Sequence, residues 1–474
     1  MSRNIEKFFF PKSIAIIGAS TKQFKFGGLF LKALIDFNYQ EYGKIFPVNP
    51  KGQKIQGLDS WMLEDIDHNI DLCYITVPAA KVPNEIKKCA KKNINNLIIL
   101  TAGFKETGEK GRKLEEECKR LAEKNSINII GPNCFGVYCP KGGVTLLPGS
   151  DFPKESGDVA MLSQSGGNSV NFVLLGQSYG ILFSKVISYG NACDLDLPDF
   201  ISYLNEDKDT KLIVAYIEGV KDMDRLRTVL NDLTKPLIIW KSGLTRDGAR
   251  AASSHTGFLS GKKEIWSGFF RQNKILQVNS FEELLDATNI VSKLEPLKLE
   301  TNIREKIGVI GGGGGIGIEI SDFANKYNLR IPKLNRKIEK KLRKFLPDEG
   351  TSINNPLDIG NPFYLIRDHK RFFQIFLEDP NIKILVLDFI MDFVLDIKRI
   401  YRKIKKIKKE KNIPLIIILR SLHITSKDIS MEKNYRKIRE KFQSINIPVF
   451  PSFNRGIRAL SNYIKLYEKI EDRK

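Results

Sequence analysis

The chain has 474 residues, 42% of them hydrophobic and 28% charged, which is too long for one ordinary core and reads as roughly two to four globular domains rather than as a disordered chain. No apolar run approaches the ~20 residues of a spanning helix, and Met1 to Phe10 lacks the apolar stretch and small-residue cleavage site of a secretory signal, so a cytoplasmic protein with no membrane attachment is expected. The net charge of +21 raises nucleic acid as a partner, but the lysines are spread along the chain, and small polyanions or an acidic partner subunit are the expected use of the charge, with no nucleic acid.

In chain order, Ser13 to Ile17 is a short apolar, β-branched run that breaks at Gly18-Ala-Ser20 and enters a helix-like stretch from Gly28 to Phe37. Strands are predicted at Leu72–Val77, Asn96–Thr101 and Ile127–Ile130, with a helix over Lys110–Lys124 between them. A loop rich in Pro and Gly, Cys139 to Gly157, closes this first part. The pattern restarts at Asp158 to Leu162, breaks at Ser163-Gln-Ser-Gly-Gly167 and enters a helix from Asn168 to Tyr179. Strands at Leu212–Ile217 and Leu237–Trp240 flank a helix at Met223–Leu233. After a charged boundary, Lys293 to Glu305, a third opening runs Lys306 to Ile310, Gly311 to Gly315, then a helix from Ile316 to Tyr327, with strands at Leu329–Pro332, Ile384–Asp388 and Leu415–Leu419. The basic run Lys398 to Lys411 spaces Ile400, Ile404 and Ile407 at helical intervals and reads as an amphipathic helix with a solvated face. Strand, Gly/Ser turn and helix in alternation predict an α/β protein of doubly wound, parallel sheets. The six cysteines form no C-x-x-C pair and read as reduced, mostly buried thiols, with no metal site.

Ligands of such sheets bind beyond the carboxyl ends of the strands. There the first part offers Gly18-Ala-Ser20, Val48-Asn-Pro-Lys51, Thr76-Val-Pro78, Thr101-Ala-Gly-Phe104 and Gly131-Pro-Asn133. It has no G-x-G-x-x-G, so a nicotinamide-type loop is not indicated, whereas Lys25 and Lys51 could meet the phosphates of another nucleotide. The third part matches that fingerprint formally at Gly312, Gly314 and Gly317, but Leu329–Pro332 carries no acid to hold a ribose. Ser163, Ser165, Gly166 and Gly167 put two hydroxyls and free amides at a helix start, which suits an anion better than a simple cap requires. His255 lies in a run of small residues, Gly248 to Gly257, where an imidazole can approach a ligand and act as a nucleophile toward phosphorus. Glu218, at the end of a strand, is the carboxylate available to orient it.

Lys241-Ser-Gly243, Gly248-Ala-Arg-Ala-Ala252 and Ser254-His-Thr-Gly257 resemble the phosphohistidine loop of ADP-forming acetyl-CoA synthetases, relatives of succinyl-CoA synthetase. The resemblance extends through Ile14–Ser20, Pro47–Lys51, Thr76–Pro78, Ala102–Gly108, Gly131–Cys134, Leu162–Gly166, Ser188–Asn191, Glu218-Gly219 and Asn355–Asp358, nearly the whole chain. It implies a Rossmann-like CoA-binding domain over 1–140, a flavodoxin-like domain with the phosphohistidine loop over 155–293, and a second flavodoxin-like domain over 304–474. It also implies that phosphate converts acyl-CoA to an acyl phosphate, whose phosphoryl group passes to His255, oriented by Glu218 and received at Ser163, Ser165, Gly166 and Gly167, and then to ADP. Gly18, Ser20, Lys25, Asn49, Lys51, Pro78, Gly103, Glu106 and Asn133 match positions that surround coenzyme A. ADP or ATP and Mg²⁺ would bind a separate β subunit with an ATP-grasp domain, in an α2β2 assembly. The chain departs from the family at Phe258-Leu-Ser-Gly261, where relatives carry Ser-Leu-Ala-Gly, and at Gly311 to Gly315. A CoA- or acyl-CoA-binding regulatory protein without catalysis is the alternative.

Overall fold

The computed structural model describes residues 5–22, 24–146, 151–250, 262–297, 300–346, 349–360, 369–390, 397–411, 413–421 and 429–471. Contacts divide the chain into two units, one of Met1–Gln177 with Ile181–Ser280, the other of Ser178–Gly180 with Phe281–Lys474.

The first unit holds two sheets. Strands β1 (Ser13–Ile17), β2 (Lys44–Val48), β3 (Leu72–Ile75), β4 (Asn96–Ile99) and β5 (Asn128–Ile130) form a parallel sheet in the order β2-β1-β3-β4-β5. The second sheet adds β6 (Gly136–Tyr138), β7 (Val159–Ser163), β8 (Phe183–Ser188), β9 (Leu212–Ile217), β10 (Leu237–Lys241) and β11 (Leu276–Val278), in the order β11-β10-β9-β7-β8-β6. Only β6 runs antiparallel, along the edge of β8. Every residue of β1, β3, β4, β7, β8 and β9 is buried. Helices cover both faces of such a sheet, so its strands read as unbroken apolar runs, and each buried Ile or Leu contributes about 1.5–3 kcal/mol.

The helices that leave the three Gly/Ser turns are α1 (Phe26–Asp36), α4 (Gly166–Ser178) and α9 (Gly314–Lys326), each beginning two residues before the expected start. Glycine is a poor helix former, but the first turn has no intrahelical acceptors for its N–H groups and tolerates it. Close approach requires it at two points: a Cβ on Gly27 would lie 2.1 Å from the Gly18 carbonyl oxygen, and one on Gly166 would lie 2.7 Å from the Phe135 ring. The other helices of this unit are α2 (Val82–Lys91), α3 (Glu109–Lys124), α5 (Leu197–Glu206), α6 (Met223–Asn231) and α7 (Lys263–Gln272).

In the second unit β12 (Ile307–Gly311), β13 (Leu357–Asp358), β14 (Ile384–Ile390), β15 (Leu415–Arg420) and β16 (Val449–Phe450) form a parallel sheet ordered β13-β12-β14-β15-β16. The strand expected at Leu329–Pro332 does not form, and β13 stands beside β12 instead. The Asn355 carboxamide explains why: it accepts from the Val309 N–H (2.9 Å) and donates to the carbonyls of Ile307 (2.8 Å) and Pro332 (2.9 Å), taking up edge groups that a strand would have paired. Helix α8 (Phe281–Lys293) packs against the last helix, α14 (Phe453–Glu471). Fully buried Asp286 joins them, bound by Arg455 (2.6 Å) and Arg458 (3.3 Å). The basic run is helix α12 (Ile397–Lys411), with Ile404 and Ile407 buried and Arg402, Lys405, Lys406 and Lys409 exposed; α10 (Arg336–Leu342), α11 (His369–Phe376) and α13 (Ile429–Gln443) complete the unit. All six cysteines are buried free thiols. Among the described residues no helix is long and apolar enough to cross a membrane, and no group of three or more His, Cys, Asp or Glu could hold a metal ion.

All three sheets reverse their strand order at the same point, beside β1, β7 and β12. A crevice therefore opens at the carboxyl ends of β1 and β3, of β7 and β9, and of β12 and β14.

Candidate functional site

The second crevice concentrates the chemistry. Ser163, the last residue of β7, is fully buried and opposite Tyr216 of β9, so Glu218 emerges two residues beyond that pairing. Ser163 Oγ donates to the Ser165 carbonyl (2.7 Å) and accepts from the Ser165 N–H (3.1 Å), which folds the chain into the tight turn before α4. Ser165 Oγ then accepts from the Asn168 N–H (3.3 Å) as a helix cap. Gly166 packs on the Phe135 ring, whereas Gly167 is exposed with open space where a side chain would stand. A helix start of this kind carries partial positive charge directed at an approaching anion.

Gln164, between the two serines, is a residue to which sequence reasoning assigned no role. Its buried carboxamide oxygen accepts from the N–H groups of both Glu218 and Gly219 (3.0 Å for the latter), and its nitrogen donates to the Gly219 carbonyl (2.9 Å). The turn after β7 and the peptide after β9 are thereby one rigid piece. Glu218 is 4% exposed, and its Oε1 accepts from the Tyr216 phenol (3.0 Å). The Tyr216 ring meets Trp240 edge-on at 4.6 Å. Burial, then the Glu218 charge, pushes this phenol well above its ordinary value, so it stays a donor. Lys241, the last residue of β10, is also buried; its Nζ donates to the Ser242 carbonyl (2.5 Å) and lies 5.2 Å over the Trp266 ring. Burial pushes this amine down to about 8, against the pull of Glu218. His255, with the rest of 251–261, lies outside the described residues.

The first crevice is built from the chain's own loops. Gly18 has φ of +91°, and a Cβ there would come within 2.6 Å of Thr76 Oγ1, so no other residue fits. Ser20 Oγ accepts from the Lys22 N–H (3.1 Å). Asn49 donates to the Ala19 carbonyl (2.8 Å) and accepts from the Lys51 N–H (3.0 Å), tying the ends of β1 and β2 together. Lys25, just before α1, Lys51 and Pro78 are exposed at this rim. Glu106 turns inward: Oε1 accepts from the N–H groups of Gly103 (2.5 Å) and Phe104 (3.0 Å), and Oε2 from Asn191 (2.6 Å). Burial works to raise this carboxyl, but those bonds outweigh it and hold it below its ordinary value. Asn191, in the loop after β8, also donates to Glu115 (2.9 Å) and accepts from Asn133 (3.4 Å), while its carbonyl accepts from Lys105 (2.7 Å). Glu106 and Asn133, and Gly103 through Glu106, are thus gathered on one residue of the loop after β8, a link that spans 58 to 85 positions.

The third crevice is occupied by its own side chains. Asp358, at the end of β13, accepts from the N–H groups of Gly313 and Gly360, both at 2.8 Å. The acid that Leu329–Pro332 lacked is present on another strand, and it holds the glycine loop rather than facing outward.

Comparison with known proteins agrees with this architecture. Residues 12–140 match the model of a CoA binding domain, and 156–291 that of a succinyl-CoA ligase like flavodoxin domain. An acetate–CoA ligase [ADP-forming] II subunit alpha of Pyrococcus furiosus is 34% identical over 392 residues, which are 81% of each chain. The chain belongs to the family of ADP-forming acetate–CoA ligases. Within this family it is 34% identical over 385 residues to acetate–CoA ligase [ADP-forming] I of Archaeoglobus fulgidus, covering 81% of this chain but 54% of that protein, so it spans about half the length of that relative. The dinucleotide forming acetyl-coenzyme A synthetase 1 of Ca. Korarchaeum cryptofilum, solved with phosphate and ADP, superimposes with a TM-score of 0.84 at 26% identity over 99% of both chains.

Proposed function

We propose that this ligase-family chain is the CoA-handling, phosphohistidine-bearing subunit of an ADP-forming acyl-CoA synthetase acting in the cytoplasm. The observation that carries the reading is the Gln164 clamp, which makes the Ser163–Gly167 turn and the Glu218 carboxylate a single preformed piece. In the reaction, phosphate attacks the thioester carbonyl of acyl-CoA; the C–S bond breaks, and CoA and an acyl phosphate form. The imidazole of His255 then takes the phosphoryl group as the P–O bond to the acid breaks, and ADP accepts it to give ATP. Glu218 holds the second imidazole nitrogen and balances its positive charge. The amides and hydroxyls of Ser163, Ser165, Gly166 and Gly167 receive the phosphoryl oxygens. The first crevice takes coenzyme A, with exposed Lys25 and Lys51 toward its phosphates, Gly18, Ser20 and Asn49 along its floor, Pro78 at its rim, and Gly103, Glu106 and Asn133 toward the second sheet. ADP and Mg²⁺ are assigned to a β subunit with an ATP-grasp domain, in an α2β2 complex. The subunit alpha designation of a relative that this chain matches over 81% of its length supports a two-subunit arrangement.

Incubating the chain and that β subunit with acetyl-CoA, ³²P-phosphate and Mg²⁺ tests the reading. A base-stable, acid-labile label is expected, lost in His255→Ala with CoA binding intact. A label that persists in His255→Ala refutes the assignment, and CoA binding with no label in the unaltered chain favours a non-catalytic CoA-binding regulator.

A further inference from the structure

The carboxylate of Glu218 has a device of its own behind it. Tyr216 and Glu218 are two residues apart at the end of β9, and alternate residues of a strand share a face. The phenol donates to Oε1 at 3.0 Å, with Tyr216 at 8% and Glu218 at 4% exposure. Two further constraints make this contact an orienting one. The Tyr216 ring is fixed edge-on against Trp240 at 4.6 Å, so the hydroxyl has little freedom to follow the carboxylate. The Glu218 peptide is fixed from the other side, because Gln164 accepts its N–H and grips Gly219 through both N–H and carbonyl. With its backbone clamped and Oε1 bound to the phenol, the side chain has fewer orientations open to it.

We propose that Tyr216 is a positioning residue for phosphoryl transfer: its phenol sets the plane of the Glu218 carboxylate before the imidazole arrives. The inference rests on the reading of Glu218 as the imidazole's partner. It extends that reading to a group that touches neither substrate nor phosphorus. A neutral donor suits the task, because a phenol steadies the carboxylate without cancelling the charge that the imidazolium needs. A guanidinium in the same place would form a charge-neutral fork. Lys241, above Trp266 at the end of the neighbouring strand, is the nearby cation, and its Nζ is turned onto the Ser242 carbonyl.

Tyr216→Phe removes one oxygen and keeps the ring on Trp240. In the chain with its β subunit, the single-turnover rate of ³²P incorporation is expected to fall about tenfold or more, the scale of a hydrogen bond to a charged group. The KM for acetyl-CoA should stay unchanged, and the Tm should fall by no more than a few degrees. Added to Glu218→Ala, Tyr216→Phe should cause no further loss, since the oxygen its phenol binds is then gone. An unchanged rate in Tyr216→Phe overturns the proposal, as does a loss shared equally by rate, KM and Tm, or a further loss on the Glu218→Ala background. Should Glu218→Gln itself label at the full rate, the role of Glu218 falls, which is a separate result from a normal rate in Tyr216→Phe beside a slow Glu218→Gln.

Discussion

The crevices beside β7 and β12 open at the same reversal of strand order, and each has a buried carboxylate on the neighbouring strand, Glu218 after β9 and Asp388 in β14. They differ in what meets that carboxylate. Asp388 is gripped by Arg420 from β15 in a two-pronged pair, Nε to Oδ1 at 2.9 Å and Nη2 to Oδ2 at 2.8 Å. Burial raises the Asp388 carboxyl while Arg420 pulls it down, and the pair as a whole carries no charge to offer a ligand. Glu218 accepts from a neutral phenol, and its peptide is held by Gln164. The strand order is the same in both places; the hydrogen-bond donor that meets the acid is not, a guanidinium at Asp388 and a phenol at Glu218.

The largest expected effect falls on the Asp388 side. Arg420→Met leaves the Asp388 charge buried without its partner, and urea unfolding of the second unit should lose about 3 kcal/mol, while ³²P labelling of the folded enzyme is unchanged. Equal damage to labelling would erase the distinction between the two crevices. On the other side, Glu218→Gln should cut labelling about a hundredfold with little change in stability. Gln164→Leu strands two N–H groups and one carbonyl and is expected to cost about 2 kcal/mol in urea unfolding, with a slower label because the Glu218 peptide is released.

A pH experiment sharpens the contrast further. The folded Lys241 amine is pushed down to about 8 from its ordinary 10.5, so between those values the unfolded chain binds more protons and stability rises with pH. Lys241→Met should flatten that rise relative to the unaltered protein, read as the difference between their urea midpoints from pH 7.5 to 9.5. A fall in stability with pH that Lys241→Met removes would have the wrong sign. Last, titration with NADH should give no fluorescence change, because the Asp358 carboxylate is taken up by Gly313 and Gly360; a saturable signal would make the glycine loop a nucleotide site.

Much of this architecture was legible residue by residue. The runs at Ser13–Ile17 and Leu212–Ile217 are strands with the expected bounds, because a strand buried on both faces is a continuous apolar string. Of the strands of two or three residues, β5 was expected at Ile127–Ile130, but β11, β13 and β16 escaped, since nothing so short has a period. The helices beginning at Gly166 and Gly314 were expected two residues late because their glycines were read as turn alone. In the candidate site, Ser163 and Glu218 could be picked out as polar residues following apolar strands. Gln164 and Tyr216 could not: one reads as filler between serines, the other as part of an apolar strand. Helix α8 is a related case, since composition says nothing of Asp286 meeting Arg455, 169 positions away.

By itself the sequence determined the α/β alternation, the Gly/Ser turns, the candidate imidazole at His255 and the resemblance to a ligase family, all of which depend on residues near one another in the chain. Only the tertiary structure decided which group meets each buried acid, the Tyr216 phenol at Glu218 and the Arg420 guanidinium at Asp388. That depends on register between strands, which sets Tyr216 opposite Ser163 and lets Gln164 reach Glu218 across 54 positions. Apolar patterning carries the first kind of information because burial is a property of each residue alone; a hydrogen bond is a property of two, and their meeting is settled by packing.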